Sequence, residues 1–196
     1  MQKRKNILLV TNHFYPETFR CNDIAFEMAK RGHRVKVLTG IPDYPQGKYH
    51  EGYSVFKKRV EKIRGVEVVR VPVIPRGDGS RLRMIIHYAL SVCAFMAYAL
   101  YQAVFHTYDV VYVHDTSPAF IALPAVLLKK LRKTPVVLWI LDMWPESLIA
   151  GGVRSHKVHA LVGRMMKMIY RNSDRIQISS LGFRSLLTER GYLIRR

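Results

Sequence analysis

The residues best placed to do chemistry stand together at 142–147, Asp142-Met143-Trp144-Pro145-Glu146-Ser147, directly behind the apolar run VVLWIL at 136–141. A carboxylate in such a turn can accept a proton from a hydroxyl or stabilise positive charge that develops on a reacting group. A plainer use stands beside this one: Asp142 caps the next helix and Trp144 fills a gap in the core. The position of the turn depends on the run before it. Six apolar residues after Pro135 are too few for a typical helix and do not alternate, so they read as a strand buried on both faces. Asp142 and Glu146 then sit at the carboxyl edge of a parallel sheet, where open α/β folds bind ligands.

Other acids fall in the same kind of place. Glu17, Asp43 and Asp115 each follow a run that reads as a strand, and His13 and His114 join them on that edge. Only 14 residues of 196 are Asp or Glu, so their concentration after strand ends says more than any one of them. His13, His114, Asp115 and Asp142 lack metal-ligand spacing. No G-x-G-x-x-G follows the first strand, and neither G-x-x-x-x-G-K-[ST] nor G-x-S-x-G occurs, which argues against dinucleotide dehydrogenases, P-loop NTPases and serine hydrolases.

The elements that must position these residues alternate along the chain. Residues 6–11 read as a strand, 13–18 as a polar loop, and 23–31 as a helix with Ile24, Ala25, Met28 and Ala29 on one face. Gly32 follows the basic pair Lys30-Arg31 as a C-cap, and 35–38 is the second strand of a right-handed βαβ unit. A Pro- and Gly-rich loop at 40–51 leads to a third strand at 66–73, broken by 75–80. A strand at 109–113 and a loop at 114–118 come next, then a helix at 119–131. After the 136–141 strand, a helix at 155–171 turns Val158, Leu161, Val162, Met165, Met168 and Ile169 to the core and Lys157, Arg164, Lys167 and Arg171 to solvent. Residues 175–179 form a sixth strand and 181–190 a last helix. Repeated βα units give the fold class: α/β, a doubly wound, Rossmann-like, mostly parallel sheet.

The segment 84–105 carries no formal charge apart from a proton on His87 and is long enough to span a bilayer. Its His87, Tyr88, Ser91, Tyr98, Tyr101 and Gln102 suit a buried helix, or one lying in a bilayer interface, at least as well. Arg81 and Arg83 at its head are placed to hold anionic headgroups. The chain has the length of one domain, and its 49% hydrophobic content is that of a folded one. Cys21 and Cys93 make no disulfide framework. The basic start Met1-Gln2-Lys3-Arg4-Lys5 precedes an apolar run of only 7–10, too short for a secretory signal. A net charge of +18 attracts polyanions. The patch Lys129, Lys130, Arg132 and Lys133 contains no aromatic residue to stack on bases, which argues against nucleic acid as the partner.

Several stretches resemble one family. N-I-L-L-V-T-N-H-F-Y-P-E at 6–17, K-R-G-H-R-V-K-V-L-T-G at 30–40 and I-P-D-Y-P-Q-G-K at 41–48 resemble the N-terminal domain of family 4 glycosyltransferases. D-M-W-P-E-S at 142–147 and S-L-G-F-R-S-L-L-T-E-R-G at 180–191 are similar to its bacterial O-antigen and capsule branch, the fucosaminyltransferase-like members. The resemblance implies half of a GT-B enzyme, whose two Rossmann-like domains transfer a sugar in the cleft between them with retention and without a metal or other cofactor. It implies Asp142 as the catalytic group, touching the reacting sugar or the acceptor hydroxyl. His13, Glu17, Arg20, Asp43, Lys48, His114, Asp115, Trp144 and Glu146 are then expected to meet substrates along the same edge. The implied partners are a nucleotide-sugar, a lipid-linked glycan acceptor and an anionic membrane, with the protein peripheral on the cytoplasmic face.

Two features depart from the family pattern. The first loop, Y-P-E-T-F-R-C-N at 15–22, lacks the glycines that let a backbone approach phosphate, although Arg20 can reach an anion instead. The donor-binding E-x7-E element is missing, so residues 1–196 are expected to be the acceptor-binding domain alone, unable to transfer sugar efficiently. The competing expectation is a non-catalytic, acceptor- or partner-binding subunit of a split transferase.

Overall fold

A computed structural model describes residues 3–77, 79–150 and 152–192, without the side chains of Arg81, Leu82 and Ala150. Met1 and Gln2 of the basic start, Arg81 as a headgroup ligand and the tail at 193–196 thus lie outside the described residues. The strands are β1 (Asn6–Thr11), β2 (Arg34–Gly40), β3 (Val60–Ile63), β4 (Val66–Val71), β5 (Val110–Asp115), β6 (Val136–Ile140) and β7 (Arg175–Ile178). The helices are α1 (Arg20–Lys30), α2 (Arg81–Phe105), α3 (Leu123–Arg132), α4 (Glu146–Ala150), α5 (His156–Arg171) and α6 (Leu181–Glu189). A single sheet runs β3-β4-β2-β1-β5-β6-β7, growing outward from β1 on both sides. Every neighbouring pair is parallel except β3 with β4.

Alternation along the strands divides the core in two. Leu8, Val10, Val111, Val113, Leu138 and Ile140 pack with Phe95 of α2, Leu128 of α3, Met166 and Ile169 of α5 and Leu187 of α6. Ile7, Leu9, Val35, Val37 and Tyr112 face the other way, onto Cys21 and Ala25 of α1. Consecutive residues at a strand's end therefore serve different sides of the sheet.

Several sequence expectations need correction. The strand at 66–73 is the fourth and ends at Val71, and the strand read as sixth is the seventh, because the antiparallel β3 precedes them. The β3–β4 hairpin turns on Arg64 and Gly65, both left-handed with φ of 48° and 83°. Such two-residue turns favour Asn-Gly, and an arginine in the first place hides the signal. α1 begins three residues early, at Arg20, and a 3-10 turn at Ala119–Ala122 precedes α3. β6 is deeply buried on one face only, since Val137 and Trp139 are half-covered. In α5 the buried positions are Met166, Ile169 and Tyr170, while Leu161 is 66% exposed. Val162, Met165 and Met168 of the expected stripe pack against the core while Val158 and Leu161 stay exposed, so the stripe docks through its C-terminal part. His114 and Asp115 close β5 rather than opening a loop.

α2 is not the buried helix that its composition allows. His87, Ser91, Phe95, Ala99, Gln102 and Ala103 face inward, yet Ile85, Leu90, Leu100, Tyr101, Val104 and Phe105 are exposed.

Candidate functional site

Strand ends β1, β2, β4, β5 and β6 bring two polar clusters to the carboxyl edge of the sheet. The first is built on the loop after β1. His13 and Glu17 are both buried, and the His13 Nδ1 lies 3.0 Å from Glu17 Oε2. An Arg76 guanidinium nitrogen, which can only donate, is 3.0 Å from His13 Nε2. Nε2 is therefore the acceptor, and Nδ1 carries the proton given to Glu17. Glu17 Oε1 accepts the backbone N–H groups of Asp43 at 2.9 Å and Tyr44 at 2.7 Å, which fastens the loop after β2. Asp43 Oδ2 in turn accepts the Arg76 backbone N–H at 3.1 Å, fastening the segment after β4. Phe19 stacks on the His13 ring at 4.9 Å.

Glycine permits this crossing of loops at one point. A β-carbon on Gly47, at φ +67°, would lie 2.6 Å from the Gly77 carbonyl oxygen, whereas the glycine lets Gly77 N–H reach Gly47 O at 2.9 Å. His13, Glu17 and Asp43 offer atoms within 4.8 Å of one another, a spacing a metal ion could bridge. Both ring nitrogens of His13 are already engaged, however, so a cation would have to displace either the Arg76 contact or the Glu17 contact.

The second cluster joins β5 to β6. Asp142 is half-exposed, and its Oδ2 accepts both the backbone N–H of Ser117 at 3.2 Å and the Ser117 hydroxyl at 2.5 Å. These bonds tie the carboxyl group of the loop after β6 to the loop after β5. Beside it, Asp115 is 1% exposed and neither of its carboxyl oxygens has a hydrogen-bond partner among the described residues. Burial, and then the Asp142 charge, push the Asp115 carboxyl well above the carboxylate range. Glu146 pairs with Arg190. Trp144 packs against the larger core with its Nε1 buried and unpartnered among the described residues. The Tyr170 hydroxyl, on α5, is in the same condition.

His114 points to the opposite side of the sheet. Its Nδ1 meets the Thr11 hydroxyl at 3.3 Å and its ring meets Trp139 edge-on at 5.0 Å. Burial, and after it the nearby His13 ring, pushes its imidazole down to about 4, so it is neutral near pH 7.

The edge thus brings His13, Glu17 and Asp43 together, and Asp115, Asp142, Trp144 and Glu146 together. Arg20 and Lys48 are exposed and join neither cluster through any hydrogen bond or ion pair with the described residues. Asp142 is bonded to Ser117 rather than capping α4, while Trp144 does pack as core. Four participants carried no sequence signal: Arg76 and Ser117 are ordinary loop residues, and Tyr170 falls within the 155–171 helix without belonging to either of the faces read there. Arg70 is the fourth, 1% exposed, paired with Glu61 and donating to the Tyr15 carbonyl oxygen at 2.6 Å, beneath the β1 loop.

A cavity at the first cluster, lined by Asn12, His13, Asp43, Arg76, His87 and Pro118 among others, measures only about 20 Å³, enough for one water. Larger depressions lie elsewhere, one of about 330 Å³ at the opposite edge between Arg34, Lys36, Phe105 and His106.

Residues 18–196 match the family model described as Glycosyl transferase 4-like domain. Among solved structures, the chain is similar to the crystal structure of CalG4, the calicheamicin glycosyltransferase, with a TM-score of 0.53 at 16% identity. That likeness, one of fold, covers 88% of this chain and 42% of CalG4, so these residues span less than half the length of that protein. No curated protein sequence matches.

Proposed function

Because the chain belongs to the Glycosyl transferase 4-like family and has the Rossmann-like architecture of GT-B glycosyltransferases, we propose that it is the acceptor-side domain of a retaining transferase. The enzyme moves a sugar from a nucleotide-sugar to a lipid-linked glycan in bacterial cell-surface polysaccharide synthesis, of the O-antigen or capsule kind. One observation carries this assignment: Asp142 stands half-exposed at an open sheet edge, oriented by the Ser117 N–H and hydroxyl. A carboxylate so held can receive an acceptor hydroxyl's proton or face positive charge on the sugar ring. His13, Glu17, Asp43 and Arg76 hold the neighbouring loops in register, and exposed Arg20 and Lys48 are free to meet the diphosphate of either substrate. Transfer needs no metal, and the donor half of the cleft is supplied from outside residues 1–196.

The resemblance of D-M-W-P-E-S to the O-antigen branch supports the polysaccharide assignment and, with it, the cytoplasmic face, while α2 supports a membrane-peripheral location. Residues Arg83–Phe105 are long and apolar enough to cross a membrane, and 22% of the most apolar window is buried. Phe95, Ala99 and Ala103 are nevertheless locked into the sheet core, which a spanning helix would have to leave. The exposed residues from Ile85 to Phe105 are all apolar, aromatic or Cys93, and the helix is about 37 Å long. An apolar face of that length on a strongly basic chain suits a helix lying in the interface of an anionic bilayer.

Two outcomes are expected. The 196 residues alone bind a lipid-linked acceptor but do not transfer sugar to it from any of a panel of nucleotide-sugars, and robust transfer would overturn the division of labour. In flotation at low salt the chain rises with anionic vesicles more than with neutral ones, and Leu90→Glu with Leu100→Glu abolishes the difference. Equal recovery with both vesicle types in the unmodified protein would remove the membrane from the account.

A further inference from the structure

Asp115 presents a problem that the transfer assignment leaves unsolved. Its side chain belongs to the larger core side of β5, the side of Val111, Val113, Ile140 and Tyr170. Both carboxyl oxygens are sealed from solvent and unpartnered among the described residues. An ionised carboxylate in that position would cost several kcal/mol without a donor or a cation to offset it. No cation does so. The charged group that acts on it is Asp142, from the loop after β6; Tyr170 on α5 feels Asp115 and is itself near Glu146 on α4, the Arg190 partner of Glu146 just after α6, and Tyr192. His114, next in sequence, faces the other side of the sheet and is neutral. The Tyr170 hydroxyl is itself unpartnered, and its own acidity is suppressed by burial and then by Asp115.

We propose that Asp115 is carried as the neutral acid, a positioning residue that leaves Asp142 the one unpaired anion where β5 and β6 open onto the edge. The two carboxyls differ in the ways that set protonation. Asp142 has two donors and access to water, while Asp115 has neither. When such neighbours compete, the proton stays on the buried one. For the transfer proposed above, on which this functional meaning rests, a single charge is what the corner requires. One carboxylate can face a hydroxyl or a positive sugar ring, whereas a second would repel the anionic diphosphate of the donor. Asparagine has the shape of a protonated aspartic acid and no proton to lose, so Asp115→Asn isolates the charge.

The test needs no sugar. A carboxyl raised on folding contributes stability that is complete below its unfolded value, near 3.8, and is lost as pH rises toward the folded value. Between pH 5 and 7 the unfolding equilibrium of the native chain should therefore move toward unfolding by up to about tenfold per pH unit relative to Asp115→Asn. Thermal or urea unfolding of both proteins across that range measures it, and a gap that stays constant with pH overturns the proposal. Should Asp115→Asn not fold, carboxyl carbon resonances of the aspartate-labelled native chain decide instead, assigned through bonds from the backbone. A protonated Asp115 shift at pH 7 supports the neutral acid and an ionised shift there overturns it. Either readout stands if Asp142 proves unimportant to transfer, so the two ideas fail separately.

Discussion

Asp142→Asn is expected to lower transfer by about 10²- to 10⁴-fold in the two-domain enzyme while leaving the fold intact. Asparagine keeps an oxygen to accept the Ser117 N–H, so the loop contact at 3.2 Å survives. What it loses is the negative charge and the ability to take a proton. The side chain is half-exposed, so the change in stability should stay within about 1 kcal/mol. If the charge acts only in the transition state, kcat falls and KM is nearly unmoved; a rise in KM alone would instead make Asp142 a simple binding group. Undiminished transfer would favour a non-catalytic acceptor-binding role for the domain. Steady-state kinetics with one nucleotide-sugar and one lipid-linked acceptor distinguish these outcomes.

Glu17→Ala should have its large effect on stability. Three donors converge on that carboxylate: the backbone N–H groups of Asp43 and Tyr44 and the Nδ1–H of His13. Glu17 is 4% exposed and His13 is 7% exposed, so the abandoned donors cannot all turn to bulk water. Hydrogen bonds to charged groups contribute roughly 1.5–3 kcal/mol each and do not add fully, which puts the loss at about 3–5 kcal/mol. For a chain of this size, thermal unfolding should fall by roughly 10 °C. Glu17→Gln keeps an acceptor for the two backbone groups but sets its amide against the His13 N–H, so it should lie between the two. A loss below about 1 kcal/mol for Glu17→Ala would show that the loops after β1, β2 and β4 are held by something else.

Legibility in the sequence followed the range of each interaction. The parallel strands and the carboxyl edge were visible because period and turn residues are local, as in NILLVT at 6–11 and the glycine after α1. β3 was not, because its hairpin uses Arg64 where a sequence reader looks for asparagine. At the site, Glu17, Asp43 and Asp142 could be placed on one edge from their position after strands. Their partners could not, since Glu17 meets Asp43 across 26 residues, Asp142 meets Ser117 across 25 and Arg76 meets His13 across 63. The two-residue period of a strand also hid a division: His114 and Asp115 are neighbours in sequence, yet they serve opposite faces of the sheet. Arg20 and Lys48, placed at the edge by the family resemblance, remain outside both clusters.

The central claim is that the open carboxyl edge, and not the larger hollow at the other end of the sheet, receives the glycan. Hydrogen exchange of the chain with and without a polyprenyl-diphosphate-linked glycan measures this directly. Protection should appear in the segments 12–18, 41–48, 114–118 and 141–147. Protection confined to the opposite edge, around Arg34, Lys36 and His106, would contradict the account.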